Sequence, residues 1–205
     1  MSEATPDSAT HSRKPVLLTW QGVRAASLES ARLLVSDGRL RASGRLVSAA
    51  APVYGTEAFS ASYELTATKS GEVGRVLLRT TTADEERQVM LGRTDDGVWL
   101  IDHGQGAERD EFDGAADVDI AGAVLFNTLP IRRLDLHREA GEHELPVLFV
   151  SLPDLTVTLV RQTYRTVRVT DNGAVVNYAD ADITADLTVD ADGLVLDYPD
   201  LARLV

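Results

Sequence analysis

Apolar and polar residues alternate with a period of two along much of this chain, and that period predicts strands. Between 59 and 67, Phe59, Ala61, Tyr63, Leu65 and Ala67 alternate with Ser60, Ser62, Glu64 and Thr66. Between 175 and 189, one largely apolar face carries Val175, Asn177, Ala179, Ala181, Ile183, Ala185, Leu187 and Val189. The other face of that run carries Tyr178, Asp180, Asp182, Thr184, Asp186 and Thr188. Alternation of this kind sets one face on a core and the other in water. Taken as one strand, the second run exceeds the usual length of about five or six residues. A strand so long must coil, so the pattern favours a curved sheet or partial barrel.

Turn signals separate the runs at Asp37-Gly38, Asp96-Gly97, Asn172-Gly173 and Asp192-Gly193. Asp-Gly and Asn-Gly suit tight hairpins because glycine accepts positive φ. Strands joined this way make antiparallel meanders, whereas parallel neighbours need crossovers of about a dozen residues. The stretch 103–116, with three glycines among acidic residues, is expected to form a mobile surface loop. Residues 117–127 lose the two-residue period, open with the potential caps Asp117 and Asp119, and precede Pro130. They predict a short buried helix, centred on 118–126 and stopped by the proline. A further strand is expected over 131–137. Residues 1–14 are polar and read as a disordered tail, and residues 15–205 as a single, mainly β domain.

The chain has 205 residues, no cysteine and a net charge of −12. Thiol catalysis and cysteine-based zinc or iron–sulfur sites are excluded, and a cytoplasmic setting fits. The basic residues are scattered in sequence, with Arg132-Arg133 the compact pair. A nucleic-acid binder would carry a basic stripe, so nucleic acid is not an expected partner. No stretch approaches the roughly 18–20 apolar residues of a transmembrane helix, and no signal-peptide pattern is present. Oligomeric state leaves no trace in the pattern.

Catalytic motifs are missing. The histidines are His11, His103, His137 and His143, with no His-x-x-x-His pair and no Gly-x-Ser-x-Gly elbow. His103 could serve as a catalytic base or be an exposed loop residue. Asp180, Asp182, Asp186, Asp190, Asp192 and Asp197 suggest a cation site, yet Asp190-Ala-Asp192-Gly193 lacks the remaining ligands of a calcium loop. The expectation is no catalytic residue, no metal and no cofactor.

The most unusual stretch is Asn127-Thr-Leu-Pro-Ile-Arg132-Arg133-Leu134. On the expected strand, Arg132 shares a face with Leu134 and Leu136, and Arg133 shares one with Ile131. One guanidinium must then meet an apolar environment, where an unpaired charge is very costly. Its partner is either Asp117, Asp119 or Glu29, or an anionic or polyhydroxylated ligand held by the planar fork of donors.

This stretch, together with Asp117-Val-Asp119-Ile and Phe126, resembles the hallmark of the bacterial "putative glycolipid-binding" family. Weaker matches are Trp20 with Glu29, Arg41-Ala-Ser-Gly44, Tyr63 with Leu65, Asp96-Gly-Val-Trp99, Gln162-Thr-Tyr164, Tyr178 and the end 189–199. One departure is Ala123-Val124-Leu125, where relatives often have proline. The resemblance implies a curved antiparallel sheet forming an open half-barrel with a short inserted helix, similar to the LolA and LolB lipoprotein carriers. It also implies a glycolipid or other amphiphile held in the concave face, an inference from fold analogy. Trp20, Tyr63, Trp99, Phe126, Tyr164 and Tyr178 could line the apolar part. Arg132, Arg133, Asn127, Gln162 and Glu29 could orient a head group. Two alternatives stand beside this carrier: an enzyme using Arg132, Asp119 and His103 in the same cavity, and a scaffold whose open strand edge takes a peptide.

Overall fold

A computed structural model describes residues 14–36, 39–51 and 57–205. Its strands are β1 (Val16–Gly22), β2 (Ser27–Ser36), β3 (Arg39–Ser48), β4 (Phe59–Ala67) and β5 (Val73–Thr81). There follow β6 (Glu86–Arg93), β7 (Trp99–Asp102), β8 (Ala107–Asp110), β9 (Asp117–Ile120) and β10 (Glu142–Val150). The last are β11 (Val157–Thr170), β12 (Gly173–Ala179), β13 (Thr184–Asp190), β14 (Val195–Tyr198) and β15 (Ala202–Leu204). One α-helix, α1 (Thr128–Arg133), follows a turn of 3-10 helix at Val124–Asn127.

All 15 strands form one open, curved sheet. Its order runs from β8 down to β1, steps to β15, and continues down to β9. The pairing of β1 with β15, Trp20 opposite Leu204, joins two meanders. Every pairing is antiparallel except that of β9 with β10. That exception obeys the crossover rule: the connection 121–141 is long, and it carries the 3-10 turn and α1 into the hollow of the sheet. The free edges are β8 and β9. The chain entering β9 is tied back by Val73 N–H to Ala116 O (2.9 Å) and Trp99 Nε1 to Ala115 O (2.9 Å).

Inward positions of the strands make the core, among them Trp20, Leu33, Leu65, Leu78, Leu91, Val176 and Leu187. Val124, Leu125, Phe126, Leu129 and Ile131 of the crossover pack against them. The hollow expected of a half-barrel must be filled by side chains, an insertion or a ligand. Here the insertion fills most of it.

The half-barrel class and the run 59–67 match the sequence reading. Asp96-Gly97 turns β6 into β7, with Gly97 at φ 87°. The turn at Asp37-Gly38, residues 1–13 and His11 lie outside the described residues.

Five local expectations are corrected. Asp117–Ile120 is a strand rather than helix. Its four residues are all buried, and burial on both faces erases the two-residue period. Pro130 does not stop a helix but sits in the first turn of α1, where a missing N–H costs no intrahelical bond. The expected strand 131–137 is therefore the end of α1 and the turns after it. The run 175–189 is two strands. Asp180 Oδ1 accepts from the N–H groups of Asp182 and Ile183, both at 2.8 Å, and this side-chain turn closes the β12–β13 hairpin. Tyr178 pairs with Ala185 and Val176 with Leu187, so even positions of β12 share the inner face with odd positions of β13. Tyr178 thus points inward, and Val175 and Asn177 outward. Finally, the stretch 103–116 contains the edge strand β8 and a 3-10 turn at Phe112–Gly114.

Candidate functional site

Three polar clusters interrupt the apolar interior, and each anchors the crossover. The first is Glu29, on the inner face of β2 and only 2% exposed. Tyr63 Oη donates to its Oε1 at 2.6 Å, and Val124 N–H donates to its Oε2 at 2.6 Å. Tyr63 reaches it by lying across Gly44, its neighbour on β3, where a Cβ would stand 2.1 Å from the ring. The same ring packs edge-on against Phe126, with centroids 5.1 Å apart. Burial pushes the Glu29 carboxyl up to about 7, against the hydrogen bonds from Tyr63 and Val124.

The second cluster centres on Asp119 of β9. Its Oδ1 accepts from Ile120 N–H (2.8 Å) and its Oδ2 from Gln162 Nε2 (2.7 Å). Tyr164 Oη donates to Gln162 Oε1 (3.1 Å) and accepts from Asn127 Nδ2 (3.0 Å). The chain carboxylate–amide–phenol–amide is therefore continuous from β9 through β11 to the crossover. The rings of Tyr164, Tyr178 and Tyr198 follow one another, Tyr164 edge-on to Tyr178 at 5.4 Å and Tyr178 tilted against Tyr198 at 5.8 Å. Burial raises Asp119 to about 7, and burial raises all three phenols, which stay protonated.

Asp119 is 8% exposed, and what it faces is a pocket of about 570 Å³ at one end of the half-barrel. Its lining includes aliphatic and aromatic carbon from Ile120, Ala123, Phe149, Ile183 and Leu201. It also includes the polar groups of Asp119, Asn127, Tyr178, Asp180 and Tyr198. Tyr178 Oη donates to Asp180 Oδ2 at 2.7 Å. Arg24 and Asp200 pair across the mouth at 2.8 Å.

The third cluster is at the other end of α1. Arg133 pairs with buried Asp117 through its Nη2 and Nε. Arg132 Nη1 donates to the carbonyl of Asp192. Both guanidinium groups sit on a helix rather than a strand, beside a recess of about 240 Å³ that also holds Lys69 and Leu129. Of the three carboxylates weighed as an arginine's partner, Asp117 is the one that pairs with Arg133, and Asp119 and Glu29 have other partners.

Of the residues singled out in the sequence, Asn127 and Tyr178 line the large pocket. Gln162 and Tyr164 stand behind it, bonded to Asp119 and Asn127. Glu29, Tyr63 and Phe126 lie inside the core, as do Trp20 and Trp99. The two indoles are fully buried and donate to backbone carbonyls of Val195 (2.8 Å) and Ala115 (2.9 Å). Arg132 and Arg133 border the smaller recess. Among Arg132, Asp119 and His103, only Asp119 reaches the large pocket, and His103 is exposed after β7. No cluster of metal-ligating side chains occurs among the described residues, and no helix of theirs is long and apolar enough to cross a membrane.

Tyr198, Asp180 and the loop 120–123 were not picked out as binding residues. Tyr198 lies in the matched end segment 189–199, and its inward position needed the register of β14.

The fold and site define an open β half-barrel, plugged by its own crossover, with one polar–apolar pocket at its end. The chain belongs to the family described as "Putative glycolipid-binding", which it matches over residues 17–203. Among solved structures it is similar to a DUF1089-family protein from Pseudomonas aeruginosa. The two are 25% identical with a TM-score of 0.66, over 84% of this chain and 90% of that one. It is also similar in fold to a β-barrel-like protein of the domain of unknown function DUF1849 from Brucella abortus. That likeness has 11% identity and a TM-score of 0.50, over 93% and 94% of the two chains. No curated protein matches the chain.

Proposed function

We propose that this protein binds a glycolipid or related amphiphile non-covalently in the end pocket and acts as its carrier. The observation that carries this reading is a pocket lining that combines hydrocarbon with tyrosines and carboxyls. A volume of about 570 Å³ lies within the roughly 300–1,000 Å³ of small-molecule sites. Burial raises the Asp119 carboxyl to about 7, so it can donate to a hydroxyl in its protonated form or accept from one in its ionised form. Asn127, Tyr178, Asp180 and Tyr198 add further donors and acceptors for a sugar head, and Phe149, Ile120 and Leu201 meet the adjoining hydrocarbon. In this proposal Glu29, Tyr63, Trp20, Trp99, Phe126, Gln162 and Tyr164 hold the pocket in place, and Arg132 and Arg133 fix the far end of the crossover. The proposal takes residues 15–205 as one domain, supported by the unbroken sheet. It takes the setting as cytoplasmic, supported by the absence of cysteine.

Native mass spectrometry of protein purified without detergent tests the reading. Wild type should retain a lipid-like mass, and Ala121→Trp, which fills the pocket mouth, should lose it while Arg132→Ala keeps it. Retention of the same mass by Ala121→Trp, or a ligand-free wild type under every condition, overturns it. A second reading, acid catalysis, draws on the same Asp119 carboxyl. Turnover of the retained molecule by wild type but not by Asp119→Asn would replace the carrier by an enzyme.

A further inference from the structure

The outer face of the first meander collects charge that its sequence disperses. Inward positions of β2–β5 belong to the core, so their alternate residues point to solvent. Arg32, Arg39, Arg41, Arg45, Arg75 and Arg79 are all exposed there, against the exposed carboxylates Glu64 and Glu86. Register brings them together. Arg45 lies opposite Ser62, and Ser62 opposite Arg79. One row along, Arg41 lies opposite Thr66 and Thr66 opposite Arg75. Strand spacing sets each such arginine pair about 10 Å apart with a small hydroxyl residue between.

The fold makes no ion-pair use of these groups. No salt bridge among the described residues involves any of the six. Arg79 donates to Gln88 (2.8 Å) and Arg75 approaches the Met90 sulfur (3.5 Å), both neutral. Six cations against two carboxylates leave this face with an excess of positive charge, in a chain whose net charge is −12. The same face exposes aliphatic groups. Leu17 is 70% exposed, Val47 48% and Leu28 42%. Leu28 lies opposite Val47 across β2 and β3, and Leu17 opposite Arg32 across β1 and β2.

We infer that the convex face of β1–β5 docks on an anionic lipid bilayer. Guanidinium groups would meet lipid phosphates through their planar forks, and Leu17, Leu28 and Val47 would enter the head-group boundary. Mixed basic and aliphatic surface is the signature of an interfacial site. A soluble polyanion would gain nothing from the exposed leucines. The opposite sign of the pocket end, with Asp180, Asp182 and Asp200 at its mouth, would be repelled by the same bilayer and selects the arginine face. This inference is independent of what the pocket holds.

The test is co-sedimentation of the full chain with phosphatidylcholine vesicles, with and without phosphatidylglycerol. Wild type should bind only the anionic vesicles, and salt should weaken the binding. Each arginine near such a surface is worth about fivefold in affinity, so the triple variant Arg41→Ser, Arg45→Ser, Arg79→Ser should lose about a hundredfold. Leu17→Ser with Val47→Ser should weaken what binding persists in high salt. Arg168→Ser, an exposed arginine on β11 of the second meander, should leave it unchanged. These positions are exposed, so thermal melts of all variants should match wild type. Equal binding to neutral vesicles overturns the inference, as does indifference to the triple substitution. So does binding to heparin or single-stranded oligonucleotide without binding to vesicles.

Discussion

Replacing Glu29 by glutamine isolates the cost of burying one carboxylate under the crossover. Glu29 is raised from 4.5 to about 7 by burial, so the folded state holds its proton more tightly than the unfolded state does. The contribution of this group to stability is complete below about pH 4.5 and is lost as pH rises to about 7. Two and a half pH units at about 1.36 kcal/mol each amount to about 3 kcal/mol. Glutamine carries no charge at any pH and keeps both bonds: its carbonyl can accept from Val124 N–H, and its amide can donate to Tyr63 Oη. Urea unfolding of wild type and Glu29→Gln between pH 5 and 8 measures the difference. Stability of the variant relative to wild type should improve by about 2–3 kcal/mol over that range. Asp119, also raised to about 7, is present in both proteins, and its repulsion of the Glu29 charge is a smaller cause of the Glu29 shift than burial. Glu29→Ala should be destabilised at every pH, because it orphans Val124 N–H and Tyr63 Oη inside the core. A Glu29→Gln difference that does not change with pH would refute the reasoning, since Glu29 would then be charged or neutral alike in both states.

Other substitutions address the remaining anchors. Arg133→Ala leaves Asp117 buried without its cation and should cost about 3–5 kcal/mol in urea unfolding, with Arg133→Met/Asp117→Asn costing less than the single change. Gly44→Ala forces the Tyr63 ring off its seat, so it should destabilise by about 1–3 kcal/mol, and most of that added cost should vanish in a Tyr63→Ala background, which removes the ring, as a double-mutant cycle would register. Asp119→Asn should flatten the pH dependence of stability in the same direction as Glu29→Gln, because Asp119 is raised from 3.8 to about 7 by burial; an unchanged profile would place its titration in the ordinary carboxylate range.

The half-barrel was legible because hairpin turns and two-residue alternation are local signals. Residues 59–67 emerged as a strand with the predicted faces. What was not legible depended on partners distant in sequence. Asp117–Ile120 has no alternation because the sheet covers one side and the crossover the other, and its parallel partner β10 lies more than twenty residues away. Tyr178 was set on the solvent face because alternation ran through the β12–β13 turn without a visible break. Its inward side chain, and the pocket with it, follows from the parity of that hairpin. The same lack of register hid the arginine face, whose members are spread over residues 32–79 and meet only across strands.

The plugged interior decides how an amphiphile could be held. A bare half-barrel would offer its whole concave face to hydrocarbon. Here Val124, Leu125, Phe126, Leu129 and Ile131 occupy that face, covalently part of the chain and pinned at three points by Glu29, the Asn127–Tyr164 bond and the Arg133–Asp117 pair. A ligand entering the hollow would have to expel these side chains, losing about 25 cal/mol for each Å² of apolar surface returned to water, and to break buried hydrogen bonds as well. The end pocket requires neither. Its lining residues Asp119 and Asn127 belong to the network that holds the plug, joined through Gln162 and Tyr164. A ligand that bonds to Asp119 therefore acts on the anchoring of the insertion. Its binding should raise the unfolding midpoint of wild type and leave that of Ala121→Trp where it was.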